Sequence, residues 1–180
     1  MSELERFEAV MRENGPRIFT LAIRLTGNEA DGSDLAQDTF VRAWRAWDRF
    51  KGEAEPGTWL YRICVNTWKN RVRSEKRRFL WKHLSLGAAK DDEEGSLALD
   101  LPSNEPAAAA MIEKGDDVRL LRGAMARLEP EDRVIIVMFE MDEKPYDEIA
   151  EALGVPIGTV RSRLSRAREK LRRLFEELSR

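Results

Sequence analysis

The sequence predicts an all-α protein made of two small helical domains, 1–84 and 116–180, joined by a flexible acidic linker over 85–115. Three observations predict it. Apolar residues recur every three or four positions through both halves, the spacing of a buried helical stripe. That pattern disappears over 85–115, where GAAKDDEEGSLALDLPSNEPAAAA is acidic, rich in Gly, Pro and Ala and free of aromatics. Such a composition suits a tether. Finally, KPYDEIAEALGVPIGTVRSRLSRAREKLRR at 144–173 reads as two helices about a short turn.

In chain order, residues 3–26 pattern as a helix interrupted or bent at Gly15-Pro16, with Phe7, Val10 and Met11, then Ile18, Phe19, Ala22, Ile23 and Leu25, on its apolar side. Gly27-Asn28 is a turn. A long helix follows over about 29–50. Leu35, Phe40, Val41, Trp44 and Trp47 are its expected core side, and Asp34, Gln37, Asp38, Arg42 and Arg45 point elsewhere. KGEAEPGT at 51–58 is a loop, and Thr58 is placed to cap the next helix, 59 to about 78. On that helix Arg62, Asn66, Lys69, Asn70, Arg73, Lys76 and Arg77 form one stripe beside Tyr61, Val65, Trp68 and Val72. Cations suit phosphates, amides suit base edges and aromatic faces suit unpaired bases. The plainer reading, that Trp59 and the other aromatics are core, is preferred for Trp59. Past the linker, Val118, Leu120, Leu121, Ala124, Met125 and Leu128 mark a helix that stops before Pro130, and Val134, Ile135, Val137, Met138 and Phe139 mark another.

The stretch 144–173 then supplies a helix over 146–153 with Ile149, Ala150 and Leu153 on one face. Gly154 suits its left-handed end. The second helix, about 157–178, carries Val160, Leu164, Ala167, Leu171, Leu174 and Leu178 as its buried stripe. Thr159, Arg161, Ser162, Arg163, Ser165, Arg166 and Arg168 lie off it. This is a helix-turn-helix, whose second helix is the one expected in a DNA major groove.

The bulk numbers limit the classes. With 42% hydrophobic and 36% charged residues over 180 positions, the chain suits a soluble helical protein with small cores. No apolar run approaches the ~20 residues of a membrane span, and the acidic, amphipathic start MSELERFEAV is not a signal peptide. A single cysteine, Cys64, and a single histidine, His83, exclude an internal disulfide and a Cys/His zinc cluster. These features point to the cytoplasm. Cys64 is expected to be a small buried residue and His83 to lie on the surface. No Gly-rich phosphate loop, nucleophile motif or metal cluster points to an enzyme, and no cofactor is expected.

The net charge of −2 hides a strong segregation. Residues 61–84 hold 8 basic and 1 acidic side chain (+7), and residues 157–180 hold 8 and 3 (+5). Residues 85–117 hold 2 and 9 (−7), and 118–156 hold 5 and 9 (−4). One basic block alone is more readily a solvated face. Two, one of them inside a helix-turn-helix, read as two contacts along one duplex. An extended linker reaches roughly 100 Å, and two turns of DNA occupy about 70 Å.

IRLTGNEADGSDLAQDTFVRAWRAWDRFKGE at 23–53, TWLYRICVNTWKN at 58–70 and PYDEIAEALGVPIGTVRSRLSRAREKL at 145–171, in this order about an acidic linker, resemble a bacterial sigma factor of the extracytoplasmic-function (ECF) group. The envelope-stress members are the most similar in kind. The resemblance implies a protein that binds core RNA polymerase at the β′ clamp helices and β flap. It would recognise −35 and −10 promoter elements, open the −10 strands and act without catalytic chemistry of its own. It places Asp34, Gln37, Asp38 and Arg42 against the β′ clamp helices, and Thr159, Arg161, Ser162, Arg163, Ser165 and Arg166 at the −35 element. Asn66 and Asn70 match positions facing the −10 element, with Lys69 and Arg73 near its phosphates. Residues 50–58, including Phe50, Lys51 and Thr58, match the loop that captures a base flipped from the non-template strand. It also implies control by an anti-sigma factor, which in a membrane-bound form would hold the chain at the inner membrane face. Members of the group usually carry an aromatic or bulky residue shortly before the Thr-Trp pair; here the loop reads EAEPGTW. Trp68 stands where a small residue is common, and core, interface and stacking platform are its possible roles in that order. An operator-binding regulator would explain 144–173 but not the first basic helix or the 34–42 face. A purely structural adaptor leaves the charge segregation without a purpose.

Overall fold

The computed structural model describes residues 2–52, 54–85 and 112–180, with the backbone alone at 82–85 and 112–114. The described elements are all helical. Helix α1 is Glu3–Thr26, α2 is Glu29–Ala46, and a short 3-10 turn, Trp47–Arg49, leads towards α3, Pro56–Ser85. The second half holds α4 (Ile112–Arg127), α5 (Pro130–Ile136), a π-type turn (Val137–Met141), α6 (Tyr146–Leu153) and α7 (Ile157–Leu178).

Local chemistry sets the boundaries. Ser2 and Glu5 form a reciprocal capping box on α1. Gly27, at φ 90°, ends α1, and the Asn28 side chain caps α2 by accepting from the Asp31 N–H at 2.8 Å. The expected break at Gly15-Pro16 does not occur, because α1 continues through Pro16. Proline removes one N–H from the ladder; Arg12 and Pro16 are exposed, so water can serve the carbonyl left over. Thr58 does not cap α3. Glu55 does: its carbonyl receives the Trp59 N–H at 3.0 Å and its carboxylate the Thr58 N–H at 3.2 Å, and Pro56 takes the first helical position, where no N–H is needed. Helix α3 runs on to Ser85, past the expected end near Arg78, and α4 begins at Ile112, inside the expected linker. The rest of that linker, 86–111, and the His83 side chain lie outside the described residues.

The first half packs α1 against α2, and both against α3. Its core includes Phe7, Ile18, Leu21, Leu25, Leu35, Leu60, Val65 and Trp68. Two expected core residues of α2 are not there: Val41 is 49% exposed and Trp44 46%. The buried side of α2 is Gly32, Leu35, Ala36, Thr39 and Ala43. Small residues win because α1 comes so close. A Cβ on Gly32 would stand 2.8 Å from the Ile23 Cα and 2.9 Å from its N. Gly32→Ala is therefore expected to destabilise the chain by about 1–3 kcal/mol, the usual cost of overpacking, read as a lower denaturation midpoint at unchanged slope. Trp59, expected as core, is half-buried against Trp47 and Phe50.

In the second half Val134 to Met138 are all buried, with Ile149, Val160, Leu164 and Ala167. The helix-turn-helix is as its sequence suggests: Gly154 sits at φ 65°, and α7 buries Val160, Leu164 and Ala167. Leu171, Leu174 and Leu178 are half-buried further along. The two halves touch each other, α3 lying on α5 and α6, and α1 on the π-type turn.

Candidate nucleic-acid interface

The exposed face of α7 is divided in two. Along its later turns three of the four cations are paired, Arg168 with Glu140 at 2.5 Å, Lys170 with Asp132 at 2.5 Å, and Arg172 with Glu169 and Glu176 at 2.8 and 2.6 Å, while Arg173 is exposed. Along its first turns Arg161, Arg163 and Arg166 have no carboxylate in ion-pair contact among the described residues. Arg161 lies over the Tyr146 ring, 5.7 Å from its centre. Arg166 donates through Nε to the Ser162 carbonyl at 3.2 Å, and the Ser162 hydroxyl donates to the Thr159 carbonyl at 3.2 Å. These contacts hold Arg166 to its own helix and Arg161 against α6, and leave the charges unneutralised. Ser162, Ser165, Arg161 and Arg166 are exposed, and Thr159 and Arg163 are half-buried. All six residues thus lie on the first turns of α7 outside its buried stripe of Val160, Leu164 and Ala167.

The stripe on α3 has a different environment. Asn66 and Asn70 are exposed. Lys69 and Arg73 both reach Glu131 of the second half, at 3.1 and 3.0 Å. Burial works to raise the Glu131 carboxyl, and the bond from Lys69, with Arg73 beside it, overrides this and holds it below its ordinary value. Arg62 donates to the Glu151 carbonyl in the last turn of α6. The loop ahead of α3 carries an aromatic nest. Phe50 stacks on Trp47 at 5.4 Å and tilts against Trp59 at 4.7 Å. Lys51 is exposed, while Thr58 is buried at 8% exposure.

On α2, Asp34, Gln37 and Arg42 are exposed and Asp38 is half-buried. Asp38 pairs with Arg71 at 2.5 Å, and Arg71 also donates to the Asp34 carbonyl at 3.0 Å. Exposed Val41 and Trp44 fall on the same side by helical spacing. The face is therefore mixed, polar with an apolar centre, unlike the bare cationic face of α7.

Sequence reasoning did not find the seam between the halves. Trp68 is both core and interface: it is 5% exposed, and the Arg133 guanidinium covers its ring at 5.6 Å. Burial lowers Arg133 to about 10, and its Nε is buried without a hydrogen-bond partner. Asp142 accepts from Arg24 and, at 3.3 Å, from the Tyr61 hydroxyl. Lys144 lies 5.0 Å from the centre of the Tyr61 ring. Burial raises the Asp142 carboxyl against the pull of Arg24, and raises the Tyr61 phenol further. The one available signal was the opposite charge of 61–84 and 118–156. Cys64 is fully buried, and burial pushes its thiol up to about 12. It is expected to resist a thiol reagent at pH 8 in the native chain and to react at once in denaturant; fast native labelling would contradict this.

Two family descriptions match the chain, Sigma-70 region 2 over residues 10–78 and Sigma-70 region 4 over residues 119–171. The sigma-H factor of RNA polymerase from Pseudomonas aeruginosa is 34% identical over 178 residues, covering 97% of this chain and 88% of that one. The ECF sigma-E factor of Escherichia coli is 35% identical over 142 residues, covering 78% and 72%. The ECF sigma factor SigE of Mycolicibacterium smegmatis is 33% identical over 172 residues, and the chain spans 60% of its length. The chain belongs to the ECF sigma factors of RNA polymerase, a family of transcription proteins. Among solved structures, it shares its fold with the sigma factor RpoE of Bartonella quintana, solved with the anti-sigma factor NepR. The TM-score is 0.65 at 24% identity, over 96% of this chain and 98% of that one. It also matches CnrH, solved with the cytosolic domain of CnrY, at a TM-score of 0.62 and 24% identity, over 97% and 90%. No described helix is long and apolar enough to cross a membrane.

Proposed function

We propose that this chain is an alternative sigma subunit that works in the cytoplasm and carries no catalytic chemistry. Residues 1–84 would bind core RNA polymerase and the −10 element, 85–115 would be the tether, and 116–180 would read the −35 element. The observation that carries this reading is that Arg161, Arg163 and Arg166 on the first turns of α7 have no carboxylate in ion-pair contact among the described residues, beside later turns where Arg168, Lys170 and Arg172 are already paired. Thr159, Arg161, Ser162, Arg163, Ser165 and Arg166 then meet bases and phosphates of the −35 duplex. Asn66 and Asn70 face the −10 element, Lys69 and Arg73 its backbone, and Phe50, Lys51 and Thr58 belong to the loop that receives a flipped base. Phe50 has the stacking partners for that task in Trp47 and Trp59, whereas Thr58 is buried and serves by shaping the loop. Asp34, Gln37, Asp38 and Arg42 dock on the β′ clamp helices, with Val41 and Trp44 as the apolar centre that interfaces favour. The β flap meets the second half. By analogy with the sigma factor RpoE, solved beside an anti-sigma factor, such a factor restrains this chain, from the inner membrane face if it is membrane-bound.

The division of labour follows from magnitudes. Extruding a base costs a few kcal/mol, which stacking returns. One Arg–guanine pair discriminates by about 1–3 kcal/mol, too little for one helix to find a promoter. Two readers on one polymerase add their preferences, and an acidic chain binds free DNA poorly. Reconstitution with the cognate core polymerase tests this: specific initiation from a mapped start site is expected, and failure to bind core would refute it. In the same assay Asn66→Ala is expected to cut open-complex formation about tenfold, the loss of one base-edge contact, with −35 binding retained.

A further inference from the structure

We propose that Tyr146 is a positioning residue for DNA reading by α7: its ring, backed by Phe139, holds the Arg161 guanidinium in place before DNA arrives. This rests on α7 being the −35 helix. Four side chains form one ladder. Arg161 lies over the Tyr146 ring, 5.7 Å from its centre. Tyr146 stacks on Phe139, with ring centres 5.0 Å apart and planes 16° from parallel. Arg168 covers the Phe139 ring at 5.1 Å. Both ends are arginines of α7, about two helical turns apart, and both rungs come from elements outside it. Phe139 sits in the π-type turn, and Tyr146 opens α6.

The ladder stands on a fixed backbone. The Asp142 N–H donates to the Val137 carbonyl at 3.0 Å and the Lys144 N–H to the Met138 carbonyl at 2.9 Å. These bonds tie the segment between the two rungs to the turn that carries Phe139. Pro145, directly ahead of Tyr146, has its φ locked by its own ring. Both aromatic rings are half-buried against the core. The two ends of the ladder differ in one respect. Glu140 takes Arg168 N–H donors at 2.5 Å, so that arginine is anchored to ring and carboxylate together. Arg161 has the ring and, among the described residues, no carboxylate. A ring face attracts a cation through its quadrupole but offers no carboxylate oxygen to the N–H donors. The guanidinium is thus steadied while its donors stay available for a base edge or a phosphate. An arginine side chain loses rotamer freedom when it docks; for Arg161 the fold removes part of that freedom in advance.

The test is binding of the holoenzyme, formed with cognate core polymerase, to a cognate −35-containing duplex. Tyr146→Leu keeps apolar bulk at a half-buried position and removes the π face. It should weaken binding about two- to fivefold, the scale of one exposed cation–π contact. Tyr146→Phe keeps the face and should bind as the wild type does. Phe139→Leu should weaken binding about twofold, through loss of the stacking partner. The decisive measurement is the cycle with Arg161→Ala. Once Arg161 is gone, Tyr146→Leu should have no further effect, because it acts through that residue. An equal loss in both backgrounds would make Tyr146 a merely structural residue. A loss from Tyr146→Phe as large as that from Tyr146→Leu would assign the effect to the hydroxyl. Either result overturns the proposal, as does wild-type binding by Tyr146→Leu or Phe139→Leu. In all these failures Arg161→Ala and Arg166→Ala remain defective. If Arg161→Ala binds normally, the ladder positions nothing and the proposal falls; if Arg166→Ala does so too, the −35 reading itself has failed.

Discussion

Leu164→Ala is expected to cost the second half about 2–5 kcal/mol. Leu164 is 1% exposed and lies between Val160 and Ala167 on the buried stripe of α7. Helices α4, α5 and α6 all pack on α7, so a hole at Leu164 faces the centre of that core and no side chain can swing in from solvent to fill it. The effect is large because the unit is small. Domains of this size have total stabilities of only about 5–15 kcal/mol, and each kcal/mol lowers the melting temperature by roughly 4–8 °C in a domain of 60–100 residues. Thermal unfolding followed at the helical band should show a drop of at least about 10 °C for the transition of the second half. Leu171→Ala, at a half-buried position of the same stripe, should shift it less than half as far. Equal shifts at the two positions would mean that Leu164 is not at the core. The consequence reaches function: Arg161 and Arg166 stand on the same helix as Leu164, and a loosened α7 cannot hold them in one register.

That stripe was legible because its chemistry is local. Leucines and a valine at helical spacing, with cations between them, have one stable arrangement against a neighbouring helix. The left-handed turn at Gly154 was legible for the same reason. Helix α2 was not, since size and not polarity chose its buried side. Gly32 lies against Ile23 of α1 where a Cβ does not fit, Ala36 and Ala43 are buried on the same helix, and the larger Val41 and Trp44 are turned out. Hydrophobic periodicity weights large residues and so selects the wrong face. The start of α3 was missed through a competition between two plausible caps, which Glu55 wins by placing Pro56 at the first helical position. Which residues of the first turns of α7 lie off its buried stripe was readable, and so were the partners of Arg172, because Glu169 and Glu176 stand three and four positions from it on one helix. Only the fold reveals that Glu140 and Asp132 stand beside Arg168 and Lys170. The seam was least legible of all. Lys69 and Glu131 are 62 positions apart, and no spacing rule pairs residues across such a distance. Opposite block charges hinted at attraction without saying where.

The contrast between Arg166 and Arg172 supplies the second large effect. Arg172 is held by Glu169 and Glu176, so its charge is already neutralised locally, and pulling it onto a phosphate would cost those pairs. Arg166 is exposed, and its bond to the Ser162 carbonyl leaves the rest of the guanidinium open. If α7 enters the major groove by its first turns, Arg166→Ala loses a contact worth about 1–3 kcal/mol, roughly five- to 150-fold in promoter binding. Arg172→Ala loses almost nothing. The assay is holoenzyme binding to a −35-containing duplex at two or more salt concentrations, because salt separates two ways of losing affinity. A lost base contact lowers binding to the cognate sequence and relaxes discrimination at one base pair, whereas a lost phosphate contact weakens all sequences alike and reduces the salt slope by about one. For Arg166→Ala the first pattern is expected, and for Lys-like phosphate duty the second would appear instead. Equal losses from Arg166→Ala and Arg172→Ala would show that the absence of neighbouring carboxylates does not mark the reading face. The patch on α7 would then be ordinary solvated surface, and the −35 assignment would have to move to another part of the second half.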